Sequence, residues 1–415
     1  MAYFTGVVLF ALAILISVCL HEAGHMVTAK AFGMKVSRYF VGFGPTIWSF
    51  KRGETEYGVK PIPLGGFVKI VGMTPQDDDV TPEDEPRAMW RFPVWKRTIV
   101  MAAGSVTHFI LGFVILWLLL VAVGVTNPAL ADQSKIPAYV KVQDCVPMAA
   151  DRSTCQKENG DPPSPAWRAG LRDNDKIVAF NGKPISNYAD LVTAIRGTKV
   201  GPAQVTYERD GKQTTATVTL ITAPRRLGDS ATSKVSNVPV LGVSGELPPG
   251  VPETVTYGPV SAVGQAWHYT GLTFSQMGTA LKNLPAKVPS VWRSLSGQPR
   301  DPNGPISVVG ASRLGGESVQ IGAWGLFLSF LISLNFFIGV FNLLPLLPLD
   351  GGHIAIAWFE RARSWLYARL HRPDPGRVDY LRLMPITYAV ILVLGAFSLL
   401  TITADIINPV TLTGR

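Results

Sequence analysis

The sequence predicts a polytopic α-helical membrane protein carrying one outer domain of mixed strands and helix. Three observations predict it: four apolar windows long enough to cross a bilayer, a one-sided placement of basic residues at their ends, and alternating strand patterns between the second and third windows. The 415 residues are 47% hydrophobic and 16% charged, which excludes a disordered or heavily solvated chain. The net charge of +9 alone admits a nucleic-acid binder or a protein at an anionic membrane surface. Clustering decides between them, because a spanning helix needs roughly 20 consecutive apolar residues and a few long runs hold the excess. No basic stripe interleaved with aromatics appears, so no nucleic-acid partner is expected.

The windows are Tyr3 to Leu20, Thr98 to Val125, Ile321 to Pro345 and Met384 to Ile407. No basic residue precedes the first, which runs directly into His21-Glu22-Ala23-Gly24-His25, so it is expected to remain as a spanning helix and not to be removed as a signal peptide. Lys30, Lys35, Arg38, Arg91, Lys96, Arg97, Arg361, Arg363, Arg377 and Arg382 flank the spans on one side, while the other side holds little beyond Lys135 and Arg313. The positive-inside rule turns those ten residues to the cytoplasm and places the stretch from about 127 to 320, with both termini, outside. The expected division is 1–32 for the first span, 33–97 for a cytoplasmic region, 98–126 for the second span and 127–245 for the outer domain. An outer linker and helix (246–320), a third span (321–365), a cytoplasmic loop (366–383) and a fourth span with the C-terminus (384–415) follow.

In the outer region, Gln204 to Glu208 and Thr215 to Leu220 alternate as strands and Asp210-Gly211 joins them as a hairpin turn. Tyr188 to Arg196 reads as a helix. Ser164 to Ile177, followed by Asn181-Gly182-Lys183-Pro184-Ile185, resembles the core of a bacterial PDZ domain. Such domains add an extended peptide to a sheet edge; the sequence leaves open whether this one captures peptide or only filters substrates by size. Cys145 and Cys155 fall outside, where an oxidising compartment allows them to pair; two free thiols or a bond to another protein are the alternatives. Beyond the Pro and Gly linker, Val260, Val263, Trp267, Thr270, Phe274, Met277, Leu281 and Leu284 form one face of an amphipathic helix, read as plain packing with an outer-leaflet helix as the alternative.

Ionisable groups at membrane depth are functional candidates by default, because each is costly to insert. His21 and His25 lie four apart on one helix face and can each offer a nitrogen to one Zn²⁺, with Glu22 beside the open position to take a proton from water. Two histidines meeting a helix dipole would be the bland alternative. A catalytic zinc needs a third protein ligand, and Asp350 is the only acidic residue from Gln320 to Phe359. Pro345 and Pro348 break the helix around it, and irregular backbone at that depth must be buried in protein or line a wet cavity.

The His-Glu-x-x-His helix, Leu349-Asp350-Gly351 and the intervening PDZ-like segment resemble the site-2 protease family of intramembrane zinc metalloproteases. The likeness is to its bacterial members similar to the regulator of sigma-E protease, and most of all to actinobacterial single-PDZ proteins. Pro63 to Lys69 resembles the family's membrane re-entrant β-loop, Ala103-Gly104 with Phe109 the opening of its second helix, Gly304-Pro305-Ile306 the approach to the third span, and Asp405 to Pro409 the end of the fourth. The resemblance implies four transmembrane helices, a re-entrant β-loop and one extracytoplasmic PDZ-like α+β domain. It also implies one Zn²⁺ held by His21, His25 and Asp350, with Glu22 as base, on the cytoplasmic side. Substrates would be single-pass membrane proteins in the bilayer, such as anti-sigma factors already trimmed by a site-1 protease. Asn342, Gly65 and Gly66 are implied substrate-binding residues.

The chain departs from the family at Leu347, where a proline is usual, and at Ser105 and His108, where a proline and an asparagine are usual. His108 is expected to pack with a solvated tip, a donor behind the metal ligands being the alternative. His353 either orients Asp350 or faces the cytoplasmic cavity. A metal-binding transporter and a catalytically silent PDZ scaffold are the competing functions. The transporter has no need of Glu22 beside a ligand histidine, and the scaffold would be expected to have lost one of the four residues.

Overall fold

A computed structural model describes residues 1–73, 80–128, 136–150, 155–156, 158, 160–226, 235–298, 300–301 and 304–412. Lys135 lies outside the described residues. The chain divides into two compact units, one of residues 1–123, 258–300 and 304–412, the other of 124–257.

The first unit is built on long helices: α1 (Ala2–Ala31), α2 (Val94–Leu118), α5 (Pro259–Ser294), α6 (Val308–Gln320), α7 (Trp324–Asn342), α8 (Asp350–Arg369) and α9 (Tyr380–Ile407). Among the described residues, α1, α2 with its π-helical continuation to Val123, α7 and α9 are long and apolar enough to cross a membrane. At 1.5 Å per residue the 30 residues of α1 extend about 45 Å, more than the hydrocarbon core. Phe4, Val8, Leu12 and Ile16 on α1 and Leu392, Val393 and Leu399 on α9 are exposed, a surface that suits lipid and not water. The protein is a multi-pass membrane protein.

Helix α6 was not legible in the sequence, since its Gly-rich composition has poor helical propensity. It forms because small residues let it lie against α1: a Cβ added to Gly6 would stand 2.8 Å from Gly316 Cα. Its entry is locked by a buried pair, Arg300 Nη2 to Asp405 Oδ1 at 2.9 Å, and Asp405 Oδ2 also accepts the Ser307 N–H at 2.6 Å. The segments at Gly304 and Asp405 thus meet through charge.

The third-span segment, 321–365, is two helices with the prolines between them. α7 ends at Asn342, prolines 345 and 348 occupy the break, with a cis bond at Leu347-Pro348, and Asp350 opens α8.

Between α1 and α2 the chain makes a four-stranded sheet in the order β2 (Trp48–Arg52), β3 (Thr55–Val59), β1 (Val36–Phe43), β4 (Ile62–Ile70). β1 runs parallel to β3 and antiparallel to β4, which leaves β4 at an edge. Met34, Val36, Ile70, Met89 and Met101 form a core with Ala29 that fixes this sheet to the ends of α1 and α2.

The second unit contains β5 (Val125–Thr126), β6 (Tyr139–Val142), α3 (Pro165–Arg168), β7 (Asp175–Phe180), β8 (Lys183–Pro184), α4 (Tyr188–Arg196), β9 (Gly201–Arg209), β10 (Lys212–Arg226), β11 (Val235–Val240), β12 (Val243–Glu246) and β13 (Thr254–Val255). Its main sheet has the order β11-β10-β9-β7-β6-β12. Asp210 and Gly211 both have positive φ, 50° and 74°, as a two-residue hairpin between Arg209 and Lys212 requires. Alternate residues of the strands, among them Val140, Ile177, Val205, Val218 and Leu220, pack with Leu191 of α4 as the core. Cys145 and Cys155 are joined by a disulfide.

Candidate active site

Helical periodicity places His21 and His25 on the same side of α1, and both are buried, 6% and 4% exposed. Asp350 comes from the first turn of α8, brought to them by the break after α7. Its Oδ2 stands 3.4 Å from Nε2 of each histidine, and the two Nε2 atoms are 3.1 Å apart. Among the described residues, these three are the one group of His, Cys, Asp or Glu whose ligand atoms cluster as a metal would need.

Two features test the fit to zinc. Ligand atoms around a tetrahedral zinc with bonds of 2.0–2.1 Å are about 3.3 Å apart, which the observed separations match. Asp350 Oδ2 is buried and has no hydrogen bond, an expensive condition that a cation between it and the imidazoles removes. His25 is oriented from behind, since its Nδ1–H donates to the Val100 carbonyl at 2.7 Å and leaves the Nε2 lone pair turned inward. The residues present fit a zinc ion.

Glu22 follows His21 by one residue and so points aside from the metal-facing stripe. Its Oε2 accepts the Val68 N–H of β4 at 2.9 Å. Gly66 lies alongside, where an added Cβ would be 3.6 Å from Glu22 Cγ, and Gly65 adopts φ 144°, a conformation open to glycine. The site therefore joins α1, β4, α2 and α8. Asn342, the last residue of α7, is half-buried, and its side chain makes no hydrogen bond among the described residues.

The expectation for His108 is corrected. Its tip is not solvated: the residue is 1% exposed, Nδ1 is 2.9 Å from Asn335 Oδ1, and its ring centroid lies 5.1 Å from that of His21. Asn335 went unnoticed in the sequence, although a polar amide inside an apolar span was itself a signal. Gly104 also has a sharper role than its motif suggested. A Cβ there would stand 2.5 Å from His25 Nε2 and 2.6 Å from His21 Nδ1, so only glycine lets α2 approach the two rings. His353 does not reach Asp350 by a hydrogen bond; its Nδ1 is 3.4 Å from Tyr380 Oη and the rings stack.

Residues 9–372 match the profile of Peptidase family M50. The chain belongs to this family. It is 41% identical over 99% of its length to "Zinc metalloprotease Rip1" of Mycolicibacterium smegmatis, and equally to the protein of that name from Mycobacterium tuberculosis, covering 100% of each. A "Putative zinc metalloprotease" of Nostoc is 29% identical over 90% of this chain and 89% of that protein. In this M50 peptidase, the HExxH helix and Leu349-Asp350-Gly351 both lie within the matched span.

Proposed function

We propose that this zinc metalloprotease of family M50 cleaves single-pass membrane proteins within or next to their spans, with His21, His25 and Asp350 as metal ligands and Glu22 as catalytic base. The observation that carries the reading is the unsatisfied Asp350 Oδ2 facing two inward-turned Nε2 atoms at 3.4 Å, beside a tethered glutamate. Bound there, zinc supplies Lewis acidity, polarising a peptide carbonyl and making nearby water more acidic.

The chain's own residues account for the remaining steps. A spanning substrate hides its carbonyls in intrahelical bonds and must unwind before attack. The edge strand β4 offers backbone groups to an unwound segment, which supports reading Ile62 to Ile70 as a membrane re-entrant β-loop that takes substrate as an added strand. Gly65 and Gly66 would let that segment approach Glu22 closely. Because Oε2 is occupied by the Val68 N–H, Glu22 would take the proton of the attacking water on Oε1 and pass it to the leaving nitrogen. Asn342, whose amide makes no hydrogen bond among the described residues, would hydrogen-bond the substrate backbone or the developing oxyanion.

The 127–245 region is read as an extracytoplasmic PDZ-like domain, with the active site toward the cytoplasm of a bacterial plasma membrane. A groove of about 350 Å³ between α4 and the β11–β12 segment, lined by Leu191, Ile195, Val240 and Leu241 beside an edge strand, supports peptide capture over a bare size filter. Anti-sigma factors pre-cleaved by a site-1 protease are the substrate class the family resemblance suggests.

The test compares wild type with Glu22→Gln in vesicles holding a reporter with a single span. Wild type should remove the full-length reporter and the variant should leave it intact, and Gly-containing spans should be cut faster than poly-Leu ones. Equal loss in both proteins would sink the protease reading.

A further inference from the structure

His25 has its outer partner in the Val100 carbonyl, whereas His21 Nδ1 is buried against the Gly104 backbone with no well-aligned hydrogen bond. A histidine that binds metal through Nε2 carries its proton on Nδ1 and nearly always donates it to an acceptor behind. A buried ring that nothing else explains, His108 on α2, lies beside it, centroid to centroid 5.1 Å. The orientation of Asn335 decides what His108 offers: Asn335 Nδ2 donates to the Leu331 carbonyl at 2.8 Å, so its Oδ1 is the atom facing His108 Nδ1 at 2.9 Å. Nδ1 of His108 therefore carries the hydrogen, and in the neutral ring Nε2 is a bare lone pair. That Nε2 is buried and unpartnered, with the ring 5.1 Å from His21's. One histidine has a donor without a well-aligned acceptor, and its neighbour has an acceptor without a donor.

We propose that His108, held in one tautomer by Asn335, is the positioning residue for the ligand His21, accepting its Nδ1–H directly or through one shared water. The chain Asn335 Oδ1, His108, His21 then ends at the metal and fixes the His21 ring from behind, as Val100 fixes His25. It replaces the carboxylate often found behind a metal-bound histidine with a neutral imidazole and amide, which avoids a further charge at membrane depth. The competing acceptor is the Gly104 backbone, against which the His21 ring also lies, and it would hold the ring without any help from His108.

The inference rests on the zinc reading, and the experiment separates the two. Full-length protein in detergent is stripped of metal, and zinc affinity is measured by competition with a chromophoric chelator; the visible bands of the cobalt-substituted form report ligand geometry. Wild type should bind one equivalent. His108→Phe, which keeps the ring and removes the acceptor, should bind zinc about 10- to 100-fold more weakly with shifted cobalt bands. His108→Gln, which restores an acceptor, should recover much of the loss. A wild type that binds no zinc overturns the metal site itself; a wild type that binds it beside a phenylalanine variant of equal affinity and spectrum overturns only the role of His108. If the phenylalanine variant does not assemble, Asn335→Val frees the tautomer and carries the same test, an unchanged affinity and spectrum again overturning the proposal.

Discussion

The Val68 N–H donates to Glu22 Oε2 at 2.9 Å, tying the proposed base on α1 to the strand proposed to receive substrate. This N–H faces away from the β1 ladder, so Val68→Pro removes the tether without breaking a sheet hydrogen bond, as edge strands allow. A hydrogen bond to a charged group contributes about 1.5–3 kcal/mol. Turnover of a reporter should fall about 10- to 100-fold while bound zinc is unchanged, both read on the same purified sample. Full activity would mean that Glu22 is placed by other contacts.

Gly104→Ala should expel the metal. Its Cβ would meet both histidine rings within 2.6 Å, and α2 backbone cannot yield as a flexible side-chain end could. Zinc content by atomic emission should drop below half an equivalent with helicity retained. Gly264 on α5 is the control, because an added Cβ there meets nothing within 4 Å. Gly264→Ala should be neutral or stabilise by up to about 1 kcal/mol.

Breaking Asp405 from Arg300 should be severe. Both side chains are almost fully buried, 1% and 5% exposed, so Asp405→Asn leaves a buried guanidinium without its counter-charge. A loss of about 3–5 kcal/mol is expected, read as a lower unfolding midpoint in detergent. Arg300→Leu combined with Asp405→Asn should recover part of it. A double variant no better than the single one would show that the Ser307 contact, not the ion pair, dominates.

The loop before α2 should loosen in acid. Asp84 accepts Lys35 Nζ at 2.6 and 2.7 Å, and Glu54 takes a two-pronged contact from Arg87 at 2.6 and 2.7 Å. The Lys35 ammonium holds the Asp84 carboxyl below its ordinary value, and the Arg87 guanidinium does the same to Glu54. Carboxyls depressed on folding stabilise the fold fully above their unfolded values, about 3.9 and 4.3, and lose that contribution as pH falls through the lower folded values. Hydrogen exchange of residues 80–91 should be flat in its protection from pH 7 to about 5 and weaken below about 4. Asp84→Asn with Glu54→Gln should remove that acid-side slope; an unchanged slope would place its origin elsewhere.

Much of the site was legible because its signals are local or conspicuous. His21 and His25 declare a shared helix face through spacing alone, and Asp350 stands out as a lone carboxylate in an apolar segment. The spans and their basic flanks follow from length and charge, since bilayer thickness and insertion cost act on the chain segment by segment. The Asp210-Gly211 hairpin was equally readable, because turn chemistry lies in two adjacent residues.

Which distant groups complete one another was settled by folding. The sequence is enough to specify a membrane protein with a His-Glu-x-x-His helix and a distant aspartate. It did not link Asn335 to His108, Val68 to Glu22 or Arg300 to Asp405, and it left α6 unseen. Each of those pairings joins segments with no shared periodicity. Whether a polar atom there is satisfied or orphaned depends on what burial leaves beside it, and folding alone brings those neighbours together.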